Sequence, residues 1–309
     1  MNTTEIPQAE LSVGKYRVNE IAVGSNIVFN ILLIIMSVIC LAPLLLLVVI
    51  SFSDSSWVMA HGYTFFPQKW SLAAYGFVLQ SAGMIFHAYG ISIFVTVVGT
   101  VAGLLIVALY AYPLSRKSFR YKNFFSFFVF FTMIFGGGLV PWAMVYRHVI
   151  PITNTLWVLI IPYLITGWNV IIMRTFMKSA VPEEIIESAR IDGSGEFRTF
   201  FVIALPLCSA GLATIGLFIM LNYWNDWYLP LIFISDQHLY NIQYVLYQIM
   251  SSMEFLKSAS GVGANAIKNI PTDTARMAIA VLAIGPIIFA YPFFQRYFIK
   301  GLTIGAVKG

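Results

Sequence analysis

The chain has 309 residues, of which 59% are hydrophobic, 16% are aromatic and only 10% are charged. A soluble domain typically carries about 25% charged residues, so this chain lacks the polar surface that a water-soluble enzyme needs. Its mean hydropathy of +0.83 agrees with that exclusion, and the same apolar content excludes intrinsic disorder. Basic residues exceed acidic ones by 18 to 13, an excess that in membrane proteins reports topology rather than nucleic-acid binding.

Six stretches are long and apolar enough to cross a bilayer, which takes about 20 residues in a helix. They are predicted at residues 27–50, 84–112, 124–142, 156–173, 207–234 and 277–298. The sequence therefore predicts an all-α, polytopic integral membrane protein. Its predicted parts are an N-terminal segment at 1–26, a six-helix domain at 27–299 and a C-terminal tail at 300–309.

The distribution of Lys and Arg predicts that both termini are cytoplasmic. With that orientation, 13 of the 18 basic residues lie on the cytoplasmic side and 5 lie outside. The same orientation makes residues 51–83 and 235–276 the long outer loops and places 174–206 in the cytoplasm. We therefore expect a multi-pass protein of the cell membrane, surrounded by lipid and without a nucleic-acid partner.

The segment between the fourth and fifth predicted spans has the pattern of two short helices joined by a turn. Pro182 suits the first turn of a helix, and the acidic residues after it suit the positive end of the helix. Gly193 suits the left-handed position that ends a helix. One apolar face is predicted from the i, i+3, i+4, i+7 spacing of Phe197, Phe200, Phe201 and Ala204. Such a helical pair either docks on a partner or lies on the lipid headgroups.

This segment resembles the cytoplasmic EAA loop of ABC-importer permeases, whose pattern is E-A-A-x-x-D-G-A-x5-F-x-x-I-x-L-P. The matching positions are Glu187, Ala189, Asp192, Gly193, Phe200, Ile203, Leu205 and Pro206. Two alanines of the pattern are serines here, and Ala210 stands where the family often has a further proline. The six spans and the ending at 291–309 also resemble sugar-importer permeases of the maltose type, and among them the LplC/YtcP-like permeases for complex saccharides.

The resemblance implies a transport subunit and not an enzyme, namely the permease of an ATP-driven importer for a saccharide, most simply an oligosaccharide. It implies a coupling loop (177–206) that passes ATPase closure to the membrane helices through residues 183–206. In it, Gly193 would allow the sharp turn and Asp192 would bond to backbone N–H groups. The residues expected to couple to the ATPase are Glu187, Ala189, Asp192, Gly193, Phe197, Phe200, Leu205 and Pro206.

The partners implied by the resemblance are a second related permease, two ATPase subunits and an extracytoplasmic solute-binding protein. ATP and Mg²⁺ would be bound by the ATPases and no cofactor by this chain, which contains no GxxxxGK[ST] sequence. No metal site is expected either, because none of the four histidines pair at i, i+4.

Polar side chains inside predicted spans are costly and therefore indicate a substrate path. Asn222, Asn225 and Asp226 share one face of an ideal helix, and Asn169 in the fourth predicted span is a weaker candidate. Amides and carboxylates suit the hydroxyl groups of neutral saccharides. The neighbouring Trp224, Trp227 and Tyr228 are expected to serve packing or the membrane–water interface.

Three points stay open from the sequence alone. The run Gly136–Gly138 indicates either a helix break that lines a cavity or, as we expect, close packing of small residues. The coupling loop does not distinguish a sugar from another solute, so a permease for a non-sugar solute remains an alternative. An ion-coupled secondary carrier is less favoured, because the spans nearly lack ionisable residues and show no clear inverted repeat.

Overall fold

The computed structural model describes residues 23–258, 272–285, 287–290 and 292. Within these residues every regular element is helical, beside one isolated β-bridge between Ser53 and Trp70. The predicted all-α class is confirmed. The α-helices are Val23–Ser51, Ser55–His61, Ala73–Leu79, Ala82–Ser115, Lys122–Ile134, Leu139–Met144, Gly167–Ala180, Glu183–Ile191, Glu196–Arg198, Leu205–Leu207, Ser209–Trp224, Tyr228–Phe233, Ile242–Ser258 and Thr272–Ile284. Short 3₁₀ and π segments are Val145–Val149, Leu156–Leu159, Ile161–Tyr163, Thr199–Ala204 and Gln237–Leu239.

In the part of the chain that the structure describes, three single helices and three bent helix pairs are long and apolar enough to cross a membrane. The single helices are span 1 (Val23–Ser51), span 2 (Ala82–Ser115) and span 6, which begins at Thr272. The bent pairs are span 3 (Lys122–Ile134 with Leu139–Val149), span 4 (Leu156–Tyr163 with Gly167–Ala180) and span 5 (Glu196–Leu207 with Ser209–Trp224). Counting each bent pair once gives the six spans that the sequence predicts.

Three of the predicted spans are not continuous helices. Span 3 bends by 111° and span 4 by 53°, and the long helix of span 5 ends at Trp224 instead of continuing to residue 234. The prediction of continuous helices was wrong for these three spans. An apolar run indicates that a segment is shielded from water, but it does not indicate that its helix is unbroken. Backbone breaks are tolerated within a membrane wherever the protein itself covers the freed polar groups.

The glycine run of span 3 forms the break itself. Gly138 has a φ of 84°, and the chain reverses there between the helices that end at Ile134 and begin at Leu139. Among the described residues, no atom lies within 4 Å of the position that a Cβ would take at Gly136 or Gly138. The expected close packing of these glycines was therefore wrong for this part of the chain, and a helix break is what they provide.

Span 2 runs through the middle of the bundle and packs on both span 4 and span 5. Its fully buried residues Val107 and Ala111 share one core with Val170 and Met173 of span 4. Burial of each large aliphatic side chain contributes roughly 1.5–3 kcal/mol. These contacts fix the bundle that carries the candidate site.

Span 1 lies largely outside this core. Its side chains are exposed over most of its length, and it packs through its end, where Ile50 forms a cluster with Trp57, Val58 and Met277 of span 6. An uncovered apolar helix of this kind suits lipid or another membrane subunit. The predicted tail at 300–309 and residues 1–22 of the predicted N-terminal segment lie outside the described residues, as do parts of the sixth predicted span and of the outer loop 235–276.

Candidate functional site

The predicted coupling loop folds as two helical segments joined by a tight turn. The first segment is Glu183–Ile191, directly after Pro182. Gly193 has a φ of 78°; its N–H donates to the carbonyl of Arg190 at 3.0 Å, and the N–H of Ser194 donates to the carbonyl of Ala189 at 2.9 Å. This hydrogen-bond pair is the Schellman ending of a helix, so the structure has the left-handed turn that the sequence predicts at Gly193.

The second segment contains a π-helical stretch at Thr199–Ala204. Phe200 is buried, and its ring packs edge-on against Tyr112 of span 2 with centroids 5.3 Å apart. Phe197 is 77% exposed and Phe201 is also exposed. The predicted single apolar face was wrong, because i→i+5 bonding rotates successive side chains by a different angle from the α-helix.

Apolar and acidic side chains alternate on the open surface of the coupling loop. Ile191 is 85% exposed, and Glu187 and Asp192 are exposed beside it. The carboxylate of Asp192 makes no hydrogen bond within the described residues, so the expected bond to backbone N–H groups is not seen there. An exposed apolar group next to acidic ones marks a surface that a partner can cover.

The remaining predicted coupling residues support the loop from within or flank it. Ala189 and Phe200 are buried, Leu205 is half-buried and Pro206 is exposed. An ion pair of Arg190 with Glu196, at 2.8 Å, bridges the turn on its outer side. Both of its side chains are partly exposed, so the pair contributes at most about 1 kcal/mol. It links the two segments across the turn and adds little to their stability.

Arg116 is the residue of this region that sequence reasoning missed, having been counted only among the basic residues of a flank. It directly follows span 2 and is 3% exposed. Its Nη1 donates to the carbonyl of Val181 and its Nη2 to that of Met177, both at 3.1 Å. Nη1 also lies 3.5 Å from Oε2 of Glu183 in the first turn of the coupling loop's first helix.

These contacts place a positive charge at the end of a helix. Met177 lies in the last turn of Gly167–Ala180, and Val181 is its C-cap, whose own N–H also donates to the Met177 carbonyl. A cation at a helix C-terminus is favourable, because the helix dipole is negative there. No single-sequence signal distinguishes Arg116 from its exposed neighbours, since only the fold brings the two carbonyls to it.

A cavity of about 460 Å³ brings together three of the four predicted path residues. Asn222, Asn225 and Asp226 all line it, although Asn225 and Asp226 lie beyond the end of the helix at Trp224. Asn169 is not among the lining residues. The others are Tyr163, Phe218, Leu221, Trp227 and Tyr228.

Within this cavity the three polar residues do different things. Oδ1 of Asp226 accepts hydrogen bonds from the N–H groups of Tyr228 at 3.1 Å and Leu229 at 3.2 Å, so it caps the helix Tyr228–Phe233. The side chains of Asn222 and Asn225 are exposed and have no hydrogen-bond partner within the described part of the chain. Their amides are thus free to bind a ligand, whereas the Asp226 carboxylate is already engaged.

The cavity is held in place by residues that the sequence did not single out. The side-chain amide of Asn241 donates to the carbonyl of Asp226, and its Oδ1 accepts from the N–H of Tyr244 at 3.0 Å. Ser92 of span 2 accepts from the N–H of Ile242 at 2.8 Å. Trp224 is buried and donates to the carbonyl of Ala283 at 3.1 Å, which is the packing role expected for it.

The sequence and the fold of this bundle match those of known transport proteins. The family model for the inner membrane component of binding-protein-dependent transport systems matches residues 99–304. The chain belongs to this family. The match includes the whole of the coupling loop and the polar cavity.

Curated relatives cover nearly the full length of this permease. The polygalacturonan/rhamnogalacturonan transport system permease protein YtcP of Bacillus subtilis is 34% identical and covers 90% of this chain and 96% of the relative. Protein LplC of Bacillus subtilis is 35% identical and covers 88% and 90%. A crystal structure of a bacterial ABC transporter involved in the import of the acidic polysaccharide alginate matches with a TM-score of 0.73 at 27% identity, covering 89% of this chain and 96% of that chain.

Family membership identifies the chain as a multi-pass subunit of the cell membrane that serves transport and is not an enzyme. It acts beside a solute-binding protein and an ATPase. This decides between the importer and the ion-coupled carrier in favour of the importer.

Proposed function

We propose that this permease imports a saccharide and that its coupling loop passes ATPase closure to spans 4 and 5. The observation that carries the proposal is the open surface of the loop, where Ile191 and Phe197 stand in solvent on a rigid turn. Exposed apolar side chains on an ordered helix pair gain free energy when a partner covers them. The acidic residues Glu187 and Asp192 flank this patch and suit a basic rim on the ATPase.

A site-specific photo-crosslink tests the coupling loop. A benzoylphenylalanine placed at Ile191 in the assembled transporter is expected to crosslink to the ATPase, because the native side chain is 85% exposed. The matched control is the same probe at Phe66, which is 89% exposed in the outer loop and should not reach the ATPase. Absence of any ATPase crosslink from Ile191 in an intact complex would rule out the proposed contact.

The solute is proposed to be a saccharide, most simply an oligosaccharide. The names of the curated relatives include polygalacturonan, rhamnogalacturonan and arabinooligosaccharides. In this chain the free amides of Asn222 and Asn225 stand beside the aromatic side chains of Tyr163 and Trp227. Amides bind hydroxyl groups and aromatic faces cover sugar C–H surfaces, so this lining suits a sugar passing through.

Uptake measurements distinguish a sugar from another solute. The complete transporter in vesicles, with its solute-binding protein, is supplied with labelled oligogalacturonide, arabinooligosaccharide, glycerol phosphate or amino acids. Uptake of one of the saccharides, reduced by Asn222→Ala and Asn225→Ala, is the expected result. Uptake of only glycerol phosphate or amino acids would establish the non-sugar alternative.

The proposed assembly contains this permease, a second related permease and two ATPase subunits that bind ATP and Mg²⁺, with the solute-binding protein outside. Six spans supply half of a pathway, and the uncovered apolar length of span 1 leaves room for a membrane neighbour. Both termini are proposed to be cytoplasmic, as the Lys and Arg distribution favours. The mass of the intact complex tests this composition, since a complex with one permease would contradict it.

A further inference from the structure

The cytoplasmic end of span 2 is tied to the coupling loop by one buried side chain, and the geometry points to a mechanical role for it. All three nitrogens of the Arg116 guanidinium are engaged: Nε with the Ser115 hydroxyl at 3.0 Å, and Nη1 and Nη2 with the carbonyls of Val181 and Met177. Its Cζ lies 5.5 Å from the ring centre of Tyr112. One planar group thus joins the ends of spans 2 and 4.

The position of these two carbonyls in the chain connects the contacts of Arg116 to the coupling loop. Only Pro182 separates Val181 from the helix Glu183–Ile191, and Arg116 also pairs with Glu183 in that helix. A displacement of the coupling loop therefore reaches the end of span 2 directly. It need not pass through the length of span 4.

Apart from Arg116, spans 2 and 4 share a buried apolar core. Val107, Ala108 and Ala111 of span 2 and Val170 and Met173 of span 4 are fully buried in one core. Apolar contact is non-directional, so it holds the two helices against each other but sets their relative rotation less sharply than hydrogen bonds do. Charge-assisted hydrogen bonds to two carbonyls are directional. They hold spans 2 and 4 in one register at the end that lies next to the coupling loop.

We propose that Arg116 is a positioning residue for coupling: it makes span 2 move together with the coupling loop when the ATPases close. The proposal rests on the proposed function, because it assumes that the loop contacts the ATPase. Without the guanidinium, the loop follows the ATPase while span 2 stays behind. ATP is then hydrolysed without opening of the path.

The test measures how accessible the substrate path is to a labelling reagent, and it needs no identified solute. A single cysteine replaces Asn222 in a background in which Cys40 and Cys208 are replaced, and a membrane-impermeant maleimide is added from outside to the full transporter complex. With Arg116 present, trapping by ATP, magnesium and vanadate is expected to raise the labelling rate about tenfold over the ADP state. With Arg116→Gln, ATP hydrolysis persists while that increase falls below about twofold.

Two further variants separate this role from a loss of charge or of folding. Arg120→Gln removes the same charge from an exposed arginine of the same turn and should leave the labelling increase unchanged. Arg116→Lys keeps the charge but cannot reach both carbonyls as a planar fork, so an intermediate increase is expected. If Arg116→Gln does not assemble, Arg116→Lys carries the test alone.

A wild-type labelling increase in either Arg116 variant overturns the proposal. Failure of the proposed function is recognised separately, because the Ile191 photo-crosslink would then be missing in the transporter with Arg116 intact. If the Ile191 crosslink forms and the Arg116 variants keep the wild-type labelling increase, only the role of Arg116 is refuted.

Discussion

Gly193 is the residue on which the shape of the coupling loop depends. Its φ of 78° lies in the left-handed region, and the Schellman hydrogen bonds around it reverse the chain between the two helical segments. A side chain with a Cβ pays roughly 1–2 kcal/mol to adopt this conformation, and a β-branched one is worse.

We expect Gly193→Val to uncouple transport while the complex still forms. The ATP hydrolysed per saccharide taken up should rise about tenfold, since a loop that loses its turn no longer holds its two helices in register. Gly193→Asn should be tolerated, because Asn adopts left-handed backbone readily. Gly195→Val is the matched control, since Gly195 has a φ of −70° and open space around its Cβ position. Equal ratios for both valine variants would count against the turn.

Asp54 caps the short helix Ser55–His61, which follows span 1. Its carboxylate accepts from the N–H of Trp57 at 3.0 Å and from the Ser56 hydroxyl. The Ser56 hydrogen bond, followed by the bond to the Trp57 N–H, lowers the pKa of Asp54 below its ordinary value of 3.8. A lowered pKa means that the cap is fully formed above the ordinary carboxyl range and is lost as the pH falls through the lower, folded value.

Asp54→Ala should therefore destabilise this helix by about 1 kcal/mol at neutral pH. Hydrogen exchange of the amides at residues 55–61 measures the loss, and the variant should also lose the acid sensitivity that the lowered pKa predicts for the wild type. Asp54→Asn is the control, because its amide oxygen still accepts the capping bond while no longer titrating. Slower or unchanged exchange in Asp54→Ala would contradict the capping role.

At the scale of elements, close approach of helices is allowed by small residues at particular positions. Gly99 of span 2 faces the ring of Tyr223 in span 5, and a Cβ there would lie 2.5 Å from that ring. The ring cannot simply move, because its hydroxyl donates to the carbonyl of Ile160 at 2.7 Å. This contact fastens spans 2, 4 and 5 together beside the polar cavity.

Gly99→Ala is expected to lower the stability of the purified protein by about 1–3 kcal/mol, as overpacking does. Gly90→Ala lies on the same helix with nothing within 4 Å of its Cβ position and should have little effect. Thermal unfolding in detergent compares the two variants. A melting temperature that is equal in both would show that the helices have room to separate at Gly99.

At the scale of the whole molecule, the orientation in the membrane decides which end meets the ATPase. Lys117 lies in the turn after span 2, and Lys69 lies between spans 1 and 2; both are exposed. The Lys and Arg distribution predicts that these positions face opposite sides of the membrane.

Single cysteines at the two positions test this topology. Lys117→Cys should react with an impermeant maleimide only from the cytoplasmic side, and Lys69→Cys only from outside, in a background without Cys40 and Cys208. Intact cells and inverted vesicles provide the two sides. Labelling of both positions from one side would overturn the predicted topology, and labelling of Lys117→Cys only from outside would also rule out access of the coupling loop to the ATPase.

The amino-acid sequence alone determined the class of protein, the six apolar spans and the turn at Gly193. These follow from local properties: a bilayer demands about 20 apolar residues per span, and a left-handed turn demands glycine. The pattern from Glu187 to Pro206 likewise lies within one short segment, so it can be recognised without knowing the fold.

Only the tertiary structure decided what depends on residues far apart in the chain. Span 5 can end at Trp224 because the carboxylate of Asp226 accepts from the N–H groups that follow the break and the amide of Asn241 donates to the carbonyl of Asp226. Arg116 can be buried because its guanidinium donates hydrogen bonds to the carbonyls of Met177 and Val181, which lie more than 60 positions away in the chain. Hydropathy is a sum over neighbours in sequence, whereas the hydrogen bonds of a buried polar group depend on neighbours in space. For that physical reason the sequence revealed neither the contacts of Arg116 nor the end of the span 5 helix at Trp224.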